Sequence, residues 1–252
     1  MTDYPLLVFG TSLLLLLLSV WVGASVIKRK GMPEESSQED FGIILGAALT
    51  LAGLIIGFSF SMAISRYDQR KNLEEAEANA IGTEYIRADL LPAADAAKVR
   101  GLLKEYFDQR VVFYTVRDDQ ELQRNNVRTA QLQAGLWSAV VTPGATSLVP
   151  AVGLAVLGMN DVLNSQGYTQ AAWTNRIPAA AWYLMVAIAV CCHLLVGYGA
   201  HNAGAKRFLL MVLPLVMSIS FFLIADIDSP RHGVIRVKPV NLMSIAETLR
   251  AP

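Results

Sequence analysis

The chain has 252 residues, 54% hydrophobic and only 17% charged, against ~45–50% and ~25% in ordinary soluble domains. Residues 4–27, 41–65, 129–160, 177–205 and 208–225 contain no Asp, Glu, Lys or Arg, which leaves about half the chain free of charge and argues for an integral membrane protein. The formal net charge of +0 offers no basic field to nucleic acid, and the two cysteines, Cys191 and Cys192, are adjacent within an apolar stretch, which excludes a disulfide framework.

Residues 6–27 form the first expected span: 22 residues at ~1.5 Å rise reach about 33 Å, enough for a hydrocarbon core of ~30 Å. Asp3 precedes it and Lys28-Arg29-Lys30 follow, so the segment reads as an uncleaved anchor with its N-terminus outside. The second span covers 42–65, with Gly46, Thr50, Gly53, Gly57, Ser61 and Ser65 forming a stripe of small residues. Such a stripe lets a second helix backbone approach closely in lipid. Ile55, Phe58 and Met62 lie on other faces and are candidates for an apolar pore constriction, against the plainer reading that they face lipid.

No Gly or Pro interrupts residues 59–81, so this helix is expected to run on through a polar segment and stop near Pro92. Glu77 and Glu84 are seven residues apart and share a helical face. Around an oligomer axis they are candidates for a vestibule ring; the alternative is a solvated face with Arg66, Arg70 and Lys71 as counter-ions. From Asp95 onward Val99, Leu102, Leu103, Tyr106 and Phe107 fall at helical spacing, giving the second arm of a hairpin outside the bilayer.

Residues 129–160 are uncharged but interrupted by Pro143-Gly144 and Pro150. They read as helix packed on the protein or membrane surface rather than as a fifth span or re-entrant loop. The last spans are expected over 179–200 and 208–225, with Trp173, Trp182 and Tyr183 marking a membrane interface.

The fold class is therefore all-α, with a first span pair in 1–65, a helical inter-span domain in 66–177, a second span pair in 178–226 and a tail over 227–252. Positive charge in the short loops 28–41 and 201–207 favours the cytoplasmic side for both, in a plasma (inner) membrane.

His193, inside the third span, and Asp226 with Asp228, at the end of the fourth, are candidates for a cation or ligand site. A histidine bonded within its own bundle and carboxylates that are solvated or paired are the plainer readings. Soluble-enzyme motifs such as H-E-x-x-H, G-x-S-x-G and G-x-x-x-x-G-K-[ST] are missing from the sequence, so no enzyme or cofactor is expected.

The stretch Ser65–Pro92, SRYDQRKNLEEAEANAIGTEYIRADLLP, with Glu77, Ala78, Asn79 and Ala80 at its centre, resembles the bestrophin-like domain family of bacterial four-span proteins. DIDSPRHGVIRVKP (226–239) and NRIP (175–178) match it as well. The resemblance implies a homo-oligomer, a pentamer by analogy with bestrophin anion channels, with inorganic ions as cargo, the second span nearest the axis, and Ile55, Phe58 and Met62 at the pore neck. Unlike animal bestrophins, the chain has no acidic run after the last span beyond Asp226 and Asp228. The rival reading is a non-conducting membrane scaffold or sensor whose inter-span domain binds a partner.

Overall fold

The computed structural model describes residues 4–27, 35–146, 150–200 and 207–250. Its helices are α1 (Pro5–Val22, followed by a π-helical turn Gly23–Ile27), α2 (Glu35–Arg87), α3 (Ala93–Thr115), α4 (Asp119–Thr146), α5 (Pro150–Thr174), α6 (Ala179–Gly199), α7 (Arg207–Asp228) and α8 (Val240–Arg250). Among the described residues there is no strand. Four stretches are long and apolar enough to cross a membrane: Pro5–Ser25, Leu210–Asp228, and others within Asp40–Leu90 and Pro150–Gly199. The expected loops 28–41 and 201–207, including Lys28-Arg29-Lys30, lie largely outside the described residues.

The chain divides into two compact units. The first comprises residues 1–66 and 176–236 and holds α1, the apolar part of α2, α6 and α7. Here α1 packs on both α6 and α7, with Phe9 and Phe222 edge to face at 6.3 Å between ring centroids. The closest backbone approach joins α1 to α6. A Cβ on Gly23 would fall on the Leu194 carbonyl oxygen, and one on Gly197 would fall on the Val20 carbonyl oxygen. Only glycine admits this reciprocal contact.

The second unit comprises residues 67–175 and 237–252. Its core is built by the polar half of α2 with α3, α4, α5 and α8, through residues such as Ile81, Val99, Leu103, Leu136, Met159 and Leu242, all at most 0% exposed. The α2 helix ends at Arg87, passes through a short 3₁₀ turn at Ala88–Leu90, and gives way to α3 after Pro92. Proline has no N–H to continue the preceding helix, yet its fixed φ suits the start of the next, where Asp95 adds a favourable charge in the first turn.

The stretch 129–160, expected as helix packed on the protein or membrane surface, is divided between α4 and α5, whose Leu132, Leu136, Ala139, Val152, Ala155 and Met159 are buried in the second unit. In the tail over 227–252, α8 buries Leu242, Ala246 and Leu249 in the same core. Each fully buried Leu contributes ~1.5–3 kcal/mol by leaving water. Trp173 and Trp182 are buried within the chain, and Tyr183 is the exposed aromatic of the three. Trp173 closes an aromatic cluster with Phe113 and Tyr114, at 5.0 and 5.5 Å.

Candidate functional site along the second helix

The two halves of α2 carry the residues that sequence reasoning singled out. In the apolar half, Phe58 is 65% exposed and Met62 is 41% exposed, while Ile55 is half-buried. Leu51, Leu54 and Ser61 are exposed as well, so one wide face is bare within a single chain. Only 6% of the apolar stretch of α2 is buried, against 44% for α7. At Gly46, Gly53 and Gly57 an added Cβ would meet no atom within 4 Å. Among the described residues the glycines of the stripe therefore have no close neighbour, and Ser61 is exposed. The small residues that α2 does bury in this half are Ala52, Ser59 and Ala63, offset around the helix from the glycines.

The polar half reverses this pattern. Arg70, Glu74, Glu77 and Glu84 are all buried, and three of them have defined tasks. The Arg70 guanidinium donates from Nε to the Ala172 carbonyl at 3.2 Å and from Nη2 to the Asn175 carbonyl at 3.5 Å. It thereby places a cation at the C-terminal end of α5, where helix carbonyls lack intrahelical donors. Glu74 does the converse for α8. Its Oε1 accepts from the Leu242 N–H at 2.9 Å and its Oε2 from Asn241 Nδ2 at 2.6 Å, so a carboxylate satisfies the N-terminal end of that helix.

Glu77 meets Arg110 of α3 in a fully buried ion pair. Its Oε1 accepts from Arg110 Nε, and its Oε2 accepts from Arg110 Nη2 at 3.4 Å, Tyr114 Oη at 2.9 Å and Thr169 Oγ1 at 3.3 Å. One carboxylate thus joins α2, α3 and α5. Burial works against the Arg110 cation, but the Glu77 carboxylate outweighs it and holds Arg110 above its ordinary pKa. Burial, and then the Glu77 charge, push both the Tyr106 and Tyr114 hydroxyls upward, so both stay protonated, and Tyr114 donates to Glu77.

Glu84 shares the Glu77 face, as the seven-residue spacing implied, but the face points into the bundle. Neither of its oxygens has a hydrogen-bond partner. Both acids are fully buried in the single chain, which corrects the solvated-face reading. The counter-ion also differs from expectation: Arg110 of α3 pairs with Glu77, while Arg70 caps α5.

The remaining candidates lie in the first unit. Asp226 accepts from the Val234 N–H at 2.7 Å on Oδ1 and from the Ile235 N–H at 2.8 Å on Oδ2. The carboxylate clasps the turn after α7, where a Cβ on Gly233 would fall on the Asp226 carbonyl oxygen. Asp228 accepts from the Ile177 N–H at 3.2 Å on each oxygen, tying the start of α6 to the end of α7. These bonds give both aspartates a structural task, and no group of three or more metal-ligating side chains occurs among the described residues. His193 is fully buried and its Nδ1 donates to the Ala189 carbonyl at 2.7 Å, one turn earlier.

Long apolar helices, a polar helical bundle continuous in sequence with the second span, and buried charges that cap or pair neighbouring helices define an all-α integral membrane protein. The Bestrophin-like domain family matches residues 10–242, and the chain belongs to that family. No curated protein matches it. Among solved structures, a bacterial bestrophin homologue from Klebsiella pneumoniae aligns with a TM-score of 0.62 at 14% identity, over 97% of this chain and 96% of that one. A point variant of that homologue gives the same TM-score and identity over 97% of each chain. A point variant of a structure described only as a membrane protein aligns with a TM-score of 0.63 at 13% identity, over 97% and 96%. At these identities the likeness establishes the fold.

The residues that carry the family resemblance now have physical roles. Glu77 and Ala78 lie on the buried face of α2, and Asp226 and Asp228 hold the turn and helix junction after the last span. Sequence reading missed the Gly23–Gly197 contact and the Arg110, Tyr114 and Thr169 partners of Glu77. The only available signal was the placement of Gly197 within a span and of a lone arginine on the apolar face of α3.

Proposed function

We propose that the protein is a homo-oligomeric ion channel of the plasma (inner) membrane, selecting anions, with the apolar half of α2 lining its axis. The observation that carries this reading is the bareness of that half: a span with 6% of its apolar stretch buried needs lipid or other copies to cover it. Its glycines offer a flat track for another helix backbone, because Gly46, Gly53 and Gly57 have open space where a Cβ would sit. Phe58, with Ile55 and Met62 at helical spacing, forms the apolar constriction that restricts passage by dewetting. Family membership supports the same reading.

Purified protein reconstituted in liposomes should pass anions, and Phe58→Ala should raise the flux by widening the constriction. Silence of intact oligomers over varied pH, salt and divalent ions would remove the reading.

One observation favours the second reading, a scaffold or sensor. The outer face of α4 carries Gln120, Arg124, Val127, Arg128 and Gln131 around a shallow groove, and Val127 is 60% exposed there. If that face captures a partner, Val127→Glu should abolish capture while leaving the fold intact. Unchanged ion flux in Phe58→Ala together with that loss would favour the scaffold.

A further inference from the structure

Glu84 is the one carboxylate among the four buried charged residues of α2 that no hydrogen bond satisfies. It sits where α2 meets α5 over Gly158. A Cβ on Gly158 would fall on Glu84 Oε2 and crowd the Arg87 guanidinium, so the missing side chain makes the space that the acid occupies. An ionised carboxylate without donors in such a place is far costlier than the neutral acid. Two charged groups act on it. Arg87, one turn along α2, favours the ionised form, and Asp161 of α5 opposes it.

We propose that Glu84 is a proton-binding site that controls the packing of α2 on α5 within the second unit. In the neutral state the carboxylic acid rests against Gly158. When its proton leaves to water, the carboxylate needs donors, and the nearest charged donor is Arg87. Satisfying that demand draws the carboxylate toward the Arg87 guanidinium, which lies against the same Gly158, and rearranges the α2–α5 contact there. The site is independent of whether the chain conducts.

Burial, the larger effect, raises Glu84 from the ordinary carboxylate value of 4.5 to about 8, with Arg87 lowering it and Asp161 raising it. A folded-state acid raised in this way stabilises the fold fully below its ordinary value, and that stabilisation is lost as pH rises toward about 8. The unit should therefore loosen across the neutral to mildly alkaline range.

The test is infrared difference spectroscopy of the full-length protein in lipid nanodiscs, titrated from about pH 6 to about pH 10. A protonated-carboxyl C=O band at the high-frequency edge, where unbonded acids absorb, should vanish with a midpoint near 8 and be missing from Glu84→Gln. Asp161→Asn should move the midpoint down and Arg87→Gln should move it up, each by about 0.5–1 unit. Opposite shifts from two outlying residues would not follow from a merely structural role. The thermal midpoint of the wild type should fall over this range while that of Glu84→Gln stays flatter. A band that survives in Glu84→Gln, a midpoint in the ordinary carboxylate range, or a midpoint indifferent to Asp161→Asn would overturn the proposal. Asp161 is exposed, so its variant keeps the test open if another variant fails to fold.

Discussion

The two halves of α2 invert the usual relation between polarity and burial. Its apolar half, ending near Ser65, leaves Leu51, Leu54, Phe58 and Met62 exposed, while its polar half buries Arg70, Glu74, Glu77 and Glu84. Water as the only solvent would make both halves unfavourable. The contrast shows that each half answers to a different surrounding: lipid or further copies for the first, and a set of helix ends and counter-charges for the second. One continuous helix of 53 residues carries both patterns.

Removing the α3 counter-ion of the polar half should have the largest effect on stability. Arg110→Met leaves the Glu77 carboxylate buried without its counter-ion and should cost about 3–5 kcal/mol, measured by denaturant unfolding in detergent. The double variant Glu77→Gln with Arg110→Met should recover much of that loss, since the penalty lies in the orphaned charge.

Glycines sharpen the comparison next. Gly197→Ala drives a methyl into the Val20 carbonyl and should cost about 1–3 kcal/mol in the fold of the first unit. Gly57→Ala meets open space within the chain and should change the stability of the isolated chain by less than about 0.5 kcal/mol. If the stripe packs another copy, Gly57→Leu should nevertheless shift the protein toward smaller assemblies, as read by light scattering. Glu74→Ala comes lower in size. It removes the acceptor from the start of α8 and should cost about 1 kcal/mol, with faster hydrogen exchange at the Leu242 amide. Arg128→Ala, which breaks an exposed pair with Glu105, should cost about 0–1 kcal/mol and marks the floor of the series.

Much of this was legible in the sequence, for physical reasons that differ by element. Charge-free runs of membrane length reveal the spans, and Pro92 reveals the end of α2, because both depend on local composition. The spacing of Glu77 and Glu84 correctly placed them on one face. Which way that face turned was not legible, because the answer lies with Arg110, 33 residues further on, and with Thr169 and Gly158 on α5. The helix α8 in the tail was not legible, because a short amphipathic helix gains its stability from a core that other segments build. The glycine stripe of α2 was conspicuous, yet the helix contact of the first unit that requires glycine on both sides is Gly23 against Gly197, where no repeat advertises it. Asp226 and Asp228 resembled cation ligands by type and spacing, but backbone N–H groups hold their oxygens.

The central claim is that the bare apolar half of α2 faces the axis of an assembly. Imaging of the purified protein in lipid nanodiscs, at a resolution that separates helices, tests it directly. The account predicts a closed ring of identical copies with α2 innermost and Phe58 at the narrowest level. A monomer or dimer, or a ring in which α2 faces the lipid and another span lines the centre, would contradict it.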